Sequence, residues 1–236
     1  MSARLSIIKA GTKLPTLSSV AGDFDDWTRW RMGEGLAEAA EVVAVCEGAS
    51  LPPAGDMDGV IVTGSAAMVT DSDAWIDRTA HWLAEAVARD VPVLGICFGH
   101  QLLAHALGGE VADNPAGVEV GTVTAMLTEP GTQDPLLGPG APAMPVQTSH
   151  QQRVMRLPDG AVLLATTARD PCHAFRYGTC AWGVQFHPEF SADVTRAYVR
   201  YYQQQDKLDA EQITAPVTDT PVASAVLRRF AEYVAQ

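Results

Sequence analysis

The sequence predicts an α/β fold in which a mostly parallel central sheet is flanked by helices, with additional antiparallel strands in the C-terminal half. Three observations carry this. Short apolar runs alternate with helical stretches up to Gly109, and strand–helix–strand order builds parallel pairs through crossover connections. After Gly109 the pattern shifts to alternating, half-polar segments and close turns, as antiparallel pairs require. Between them, Val93-Leu94-Gly95-Ile96-Cys97-Phe98-Gly99-His100-Gln101 runs from an apolar strand through Gly-x-Cys-x-Gly into a helix. At 236 residues and 47% hydrophobic content, one large domain over residues 1–236 is expected.

Each element has a local cause. Leu5 to Ala10 is short and β-branched, a first strand. Residues 11–25 are rich in Gly, Pro, Ser and Thr and read as a loop. Phe24-Asp25-Asp26-Trp27 opens a helix with Asp at or near its cap, and Gly33 and Gly35 weaken its middle. Glu41 to Cys46 is a second strand. Gly59 to Gly64 is a third, buried on both faces by its unbroken apolar run. Between Asp73 and Asp90, Trp75, Ile76, Thr79, Trp82, Leu83, Ala86 and Val87 recur at helical spacing, so this helix is amphipathic and its tryptophans pack. The fourth strand leads into the cysteine turn, and the following helix stops at Gly108-Gly109.

Beyond it, Val118 to Thr124 alternates like a half-exposed strand, and 128–145 reads as a Pro/Gly loop. Pro145 to His150, Val162 to Thr166 and Ala174 to Tyr177 read as further strands. Tyr177-Gly178-Thr179 turns into a last strand over Cys180 to Phe186. Helices over about 191–206 and 222–235 follow, separated by a Pro/Thr linker from Ala215 to Pro221.

Composition excludes several classes. The formal charge of −12 argues against a nucleic-acid partner, which needs clustered Lys and Arg. No run of 18 apolar residues is present, so no membrane span is expected. The N-terminal residues carry no secretion signal. Cys46, Cys97, Cys172 and Cys180 lack Cys-x-x-Cys spacing and read as reduced thiols of a cytoplasmic chain. With no ligand-spaced Cys or His pair, neither a metal nor an organic cofactor is expected.

Gly-x-Cys-x-Gly is the nucleophile-elbow pattern with sulfur in place of oxygen. The nucleophile sits on a tight turn whose neighbours must be small. It also faces the free N–H groups and positive dipole end of a helix, where developing negative charge is stabilised. A thiolate nucleophile needs a base, and the base an orienting acceptor. Val184-Gln185-Phe186-His187-Pro188-Glu189 supplies both. Residues two apart face the same side of an extended segment, so His187 and Glu189 can share one strand end with Cys97. The other histidines (His81, His100, His105 and His173) read as packing or surface residues.

Gly95 to Gln101 together with Gly183 to Phe190 resembles the class I, triad-type glutamine amidotransferases. The similarity is closest to free-standing relatives of the GMP-synthase amidotransferase half and to γ-glutamyl peptidases. Two further matches are Val62-Thr63-Gly64-Ser65, at the family's oxyanion loop, and Ser149-His150-Gln151-Gln152-Arg153-Val154, similar to a Ser-His-x-Asp-x-Val substrate-holding element. The resemblance covers about residues 5–200. It implies a flavodoxin-like three-layer sandwich and a Cys97–His187–Glu189 triad. It also implies an oxyanion hole from Gly64 and Phe98, and substrate contacts from Gln101, Ser149, His150 and Gln152.

The implied activity is hydrolysis of the γ-amide of glutamine through a γ-glutamyl thioester. Where an acceptor is used, the implied partner is a separate synthetase polypeptide. A stand-alone hydrolase of a small γ-glutamyl conjugate and a non-catalytic regulatory module are the other readings. The chain departs from the family at Gln152, where an acid is usual, and at Thr63-Gly64-Ser65, where many biosynthetic members have Gly-Gly-Pro.

Overall fold

The computed structural model describes residues 4–33, 35–71, 73–138, 141–208 and 216–236. The strands are Leu5–Lys9 (β1), Glu41–Ala44 (β2), Gly59–Val62 (β3), Val93–Ile96 (β4), Glu110–Asp113 (β5), Glu119–Leu127 (β6), Ala143–His150 (β7), Gln152–Arg156 (β8), Val162–Thr166 (β9), Ala174–Tyr177 (β10) and Ala181–Val184 (β11). The helices are Phe24–Met32 (α1), Leu36–Ala39 (α2), Ala74–Ala88 (α3), Phe98–Ala106 (α4), Glu129–Thr132 (α5), Ala192–Gln204 (α6) and Pro221–Val234 (α7).

Nine strands form one sheet in the order β2-β1-β3-β4-β11-β10-β9-β6-β7. From β2 to β11 all pairings are parallel, and from β11 to β7 all are antiparallel. The expected division of the chain therefore appears within a single sheet. β5 and β8 make a separate antiparallel ribbon.

Alternation along the strands feeds a core on each face. Leu5, Ile7, Leu94, Ile96 and Trp182 pack with Val226, Leu227 and Phe230 of α7. Ile8, Val60, Val62 and Val93 pack with Ile76 and Leu83 of α3 and Leu102 and Leu103 of α4. Each fully buried aliphatic or aromatic side chain here stabilises the fold by about 1.5–3 kcal/mol. A third cluster joins Leu17, Phe24, Trp27, Val118, Phe190, Tyr198 and Tyr202 and encloses one side of the site.

Several expectations shift. The first helix ends at Met32, and Gly33 follows at φ 90°, so the glycine terminates it rather than weakening its middle. Its start is fixed by a capping box between Asp23 and Asp26, worth about 1 kcal/mol. Val45 and Cys46 leave the second strand for a 3₁₀ turn. The stretch 128–145 is not all loop. Thr128 caps the single turn α5 through its Oγ1, which accepts the Gly131 N–H at 3.1 Å, and β7 begins at Ala143. The ribbon strand β5 was not legible, because its four residues are polar or half-exposed and carry no apolar period. Glu119 breaks the expected half-exposed alternation: it is 4% exposed. Part of the linker expected at 215–221 lies outside the described residues.

Candidate active site

Parallel pairing of β4 with β11 sets Ile96 beside Val184, and the Cys97 N–H donates to the Val184 carbonyl at 2.9 Å. The nucleophile turn and the segment bearing His187 therefore leave the sheet at adjacent strand ends. Cys97 has φ 50° and ψ −101°, a left-handed conformation rare for a residue with a Cβ. The flanking glycines make the turn possible. A Cβ on Gly95 would stand 2.3 Å from the Gly99 carbonyl oxygen, and one on Gly99 would stand 2.4 Å from the Val62 carbonyl oxygen. Both are backbone contacts that nothing can relax cheaply.

Three residues past the end of β11, the His187 N–H donates to the Gln147 carbonyl at 2.8 Å. The imidazole Nδ1 lies 2.7 Å from Glu189 Oε1, and Cys97 and the ring line the same cleft. The His187 and Glu189 side chains are both almost fully buried. Burial alone would push His187 down, but the negative charge of Glu189 and the neighbouring Cys97 outweigh it and raise the imidazole to about 10. The Cys97 thiol also lies 3.7 Å from the Ser149 carbonyl. Phe190 stacks on the His187 ring at 3.9 Å and Phe24 at 6.2 Å. A Cβ on Gly64 would come within 3.0 Å of His187 Cε1 and 3.1 Å of Phe24 Cε1, so the missing side chain there makes room for the imidazole.

The loop after β3 is tied down. Thr63 Oγ1 accepts the Ala10 N–H and donates to the Gly64 carbonyl, both at 3.0 Å. Phe98 is the first residue of α4, so its N–H has no partner within the helix.

A small cleft of about 90 Å³ joins these groups, well below the ~300–1,000 Å³ of ordinary ligand pockets. Phe24, Ser65, Met68, Cys97, Phe98, Gln101, the turn from Ser149 to Gln152, His187, Tyr198, Tyr201 and Tyr202 are among its walls. Gln101 Nε2 donates to the Gln152 carbonyl at 2.7 Å and to Gln185 Oε1 at 3.0 Å, so it braces the wall it faces. Gln152 Nε2 donates to Thr70 Oγ1 at 2.7 Å and to Asp113 Oδ1 at 3.0 Å. His150 lines the cleft, but its ring is committed behind it: Nδ1 meets the Gln152 carbonyl at 2.9 Å and Nε2 meets Glu119 Oε2 at 3.0 Å.

Behind the cleft is a buried His–carboxylate network that the sequence did not reveal. His173 Nδ1 lies 3.0 Å from Asp170 Oδ2, both side chains being fully buried. Ligand atoms of Glu119, His150 and His173 lie within 4.8 Å of one another. His150 pairs with Glu119 and His173 with Asp170 by hydrogen bonds at 3.0 Å. His100 is also fully buried, packs on Phe175 at 5.1 Å, and is pushed down to about 3 by burial. It is not among the described residues that line the cleft. The tyrosines of α6 were also missed. Their helical spacing is visible in the sequence, but not the cleft that their face covers.

The model of the class-I glutamine amidotransferases matches residues 38–201. The chain belongs to this family. It is 34% identical to the first of the subunits of glutamine-hydrolyzing GMP synthase from Halobacterium salinarum over 142 residues, 58% of this chain and 70% of that protein. It is 30% identical to γ-glutamyl peptidase 5 of Arabidopsis thaliana over 139 residues, 58% of this chain and 55% of that one. A glutamine amidotransferase structure from Methylobacillus flagellatus superposes with a TM-score of 0.74 at 25% identity, covering 99% of this chain and 93% of that one. Among the described residues, no helix is long and apolar enough to cross a membrane.

Proposed function

We propose that the chain hydrolyses the γ-amide of glutamine, or of a related small γ-glutamyl compound, through a γ-glutamyl thioester on Cys97. The observation that carries this is one arrangement: strained Cys97 and His187 line the same cleft, and His187 Nδ1 lies 2.7 Å from Glu189. The Cys97 sulfur, as the thiolate paired with the His187 imidazolium, attacks the γ-carbonyl carbon. The developing oxyanion meets backbone N–H groups of Phe98 and the Gly64 loop, a donor of this kind contributing roughly 3–4 kcal/mol. The imidazolium protonates the leaving ammonia or amine as the C–N bond breaks. His187 then takes a proton from water, which attacks the thioester, and glutamate leaves as the thiolate–imidazolium pair is restored. Glu189 holds one tautomer and orientation of the ring throughout. These steps need no metal or organic cofactor.

Where the ammonia is used, a separate synthetase polypeptide would activate the acceptor. The Halobacterium relative is by name one of the subunits of a synthase, which supports that reading. The γ-glutamyl peptidase relative supports hydrolysis by the chain alone. The test is a product panel: ammonia from glutamine, amine from γ-glutamyl amides, and glutamate from both. Ammonia release supports the glutaminase, and amine release alone supports the peptidase. Absence of all three from the pure chain and from chain plus cell extract would refute both.

A further inference from the structure

The loop after β3 is held from behind by a side chain that does not enter the cleft. Thr63 follows β3 directly and is 1% exposed, and it is not among the described residues that line the cleft. Its hydroxyl makes two hydrogen bonds whose directions are fixed by chemistry. The Ala10 N–H can only donate, so Thr63 Oγ1 accepts it at 3.0 Å. The Gly64 carbonyl can only accept, so the one hydroxyl proton goes there, also at 3.0 Å. A backbone bond from the Thr63 N–H to the Ile8 carbonyl at 3.1 Å keeps the same residue against β1.

The bond to the Gly64 carbonyl acts beyond Thr63 itself. That carbonyl and the Ser65 N–H belong to one planar peptide unit and point in opposite directions. With the carbonyl drawn toward the hydroxyl, the Ser65 N–H is turned away from it, and Ser65 is part of the cleft wall. Among the described residues this N–H makes no hydrogen bond. The Ser65 hydroxyl is used within the loop, where Oγ accepts the Ala67 N–H at 3.0 Å. Gly11 braces the same peptide from the β1 side: a Cβ there would stand 2.8 Å from Ser65 Cα and 2.6 Å from Ser65 Oγ. The segment after β1 can lie this close to the loop only because Gly11 has no side chain.

We infer that Thr63 is a positioning residue for the reaction: its hydroxyl, braced by Gly11, fixes the Gly64–Ser65 peptide plane and so holds the loop's backbone donor ready for the oxyanion. This rests on the proposed reading that Cys97 attacks a carbonyl carbon in this cleft. Oxyanion stabilisation depends on donors oriented before the charge forms. A loop whose peptide unit can rotate therefore loses rate even when the fold, the thiolate and the cleft walls are intact.

The test separates the oxyanion from the thiolate. Iodoacetamide alkylates a thiolate by displacing iodide, a step that develops no charge on a carbonyl oxygen. p-Nitrophenyl acetate acylates it through a tetrahedral oxyanion and releases p-nitrophenolate, which is read by absorbance. Both rates are measured on the parent chain, Thr63→Val, Thr63→Ser and Gly11→Ala, each checked for folding by circular dichroism, with Cys97→Ala as the background. Thr63→Val should slow acylation by about tenfold or more while alkylation changes by less than about twofold. Thr63→Ser keeps the hydroxyl and should recover most of the acylation rate, and Gly11→Ala should repeat the Thr63→Val pattern. If Thr63→Val does not fold, Gly11→Ala decides by the same comparison. Equal slowing of both reactions, an unchanged acylation rate, no recovery in Thr63→Ser, or no Cys97-dependent acylation of the folded parent would overturn the inference. If the pattern holds but no γ-glutamyl amide is hydrolysed, the proposed function fails and the assignment of Thr63 stands.

Discussion

Phe190 lies face to face against the imidazole of His187, with ring centroids 3.9 Å apart and planes 11° from parallel. Tyr198 of α6 continues the stack at 5.2 Å from Phe190. The His187 ring is thus held in its plane by hydrogen bonding and across it by packing. Phe190 is a positioning residue: it touches His187, not the reacting atoms. Phe190→Leu should lower kcat about tenfold with little change in KM, and Phe190→Tyr should restore most of it. Equal loss in both variants would point to general damage rather than lost stacking. Stopped-time product assays with parallel melting curves decide between these.

The thiols should differ sharply in reactivity. Burial raises Cys46 and Cys180, and it raises Cys172 to about 11, so all three stay protonated near neutrality and react slowly. A glutamine-like electrophile should therefore modify Cys97 alone, as read by peptide mass spectrometry, and label on any other cysteine would sink the assignment. Cys97→Ala should abolish turnover and keep the fold.

In the proposed mechanism His187 should set the alkaline edge of activity. There the imidazolium protonates the leaving group, and Glu189 is the main group raising it, to about 10. The acid form, and with it kcat/KM, is present below that value and lost as pH rises through it. Glu189→Gln removes the main raising charge, so the alkaline limb should move to lower pH. His187→Asn should cost several orders of magnitude in kcat, more than Glu189→Gln. An unmoved limb in Glu189→Gln would break the assignment of Glu189.

The elbow glycines should be intolerant of even one methyl group. Gly99→Ala forces a Cβ to 2.4 Å from a backbone oxygen, an overpacking cost of about 1–3 kcal/mol. For a chain of this size that lowers Tm by roughly 2–4 °C per kcal/mol. Differential scanning calorimetry would show it, and an unchanged Tm would mean that the turn opens without strain.

The buried Asp170–His173 pair should contribute stability that depends on pH. Burial would raise the Asp170 carboxyl, but the hydrogen bond and charge of His173 outweigh it and hold it well below the usual carboxylate range. Its contribution is therefore full above the unfolded value near 4 and is lost as pH falls through the lower folded one. Asp170→Asn should cost about 3–5 kcal/mol at pH 7, with the gap from the parent protein narrowing in acid. Urea titrations at several pH values test this.

How much was legible follows from where each signal lives. The Cys97 turn was readable because Gly95 and Gly99 are demanded by backbone contacts a few residues apart, and such demands leave fixed spacing. His187 and Glu189 were readable as a local pair, although the strand ends at Val184 and the two meet in the turn beyond it, not along the extended segment expected. The Glu119–His150–His173–Asp170 network was not, since its members come from separate segments and only sheet order brings them together. Gln152 was visible as a departure from an acidic position, but its bond to Asp113, 39 residues away, was not.

The most direct test of the central claim is capture of the acyl-enzyme. Rapid acid quench during turnover, followed by peptide mass spectrometry, should find one γ-glutamyl group on the peptide bearing Cys97, and none in Cys97→Ala. Product formation with no adduct at Cys97, or with the adduct on another residue, would contradict it.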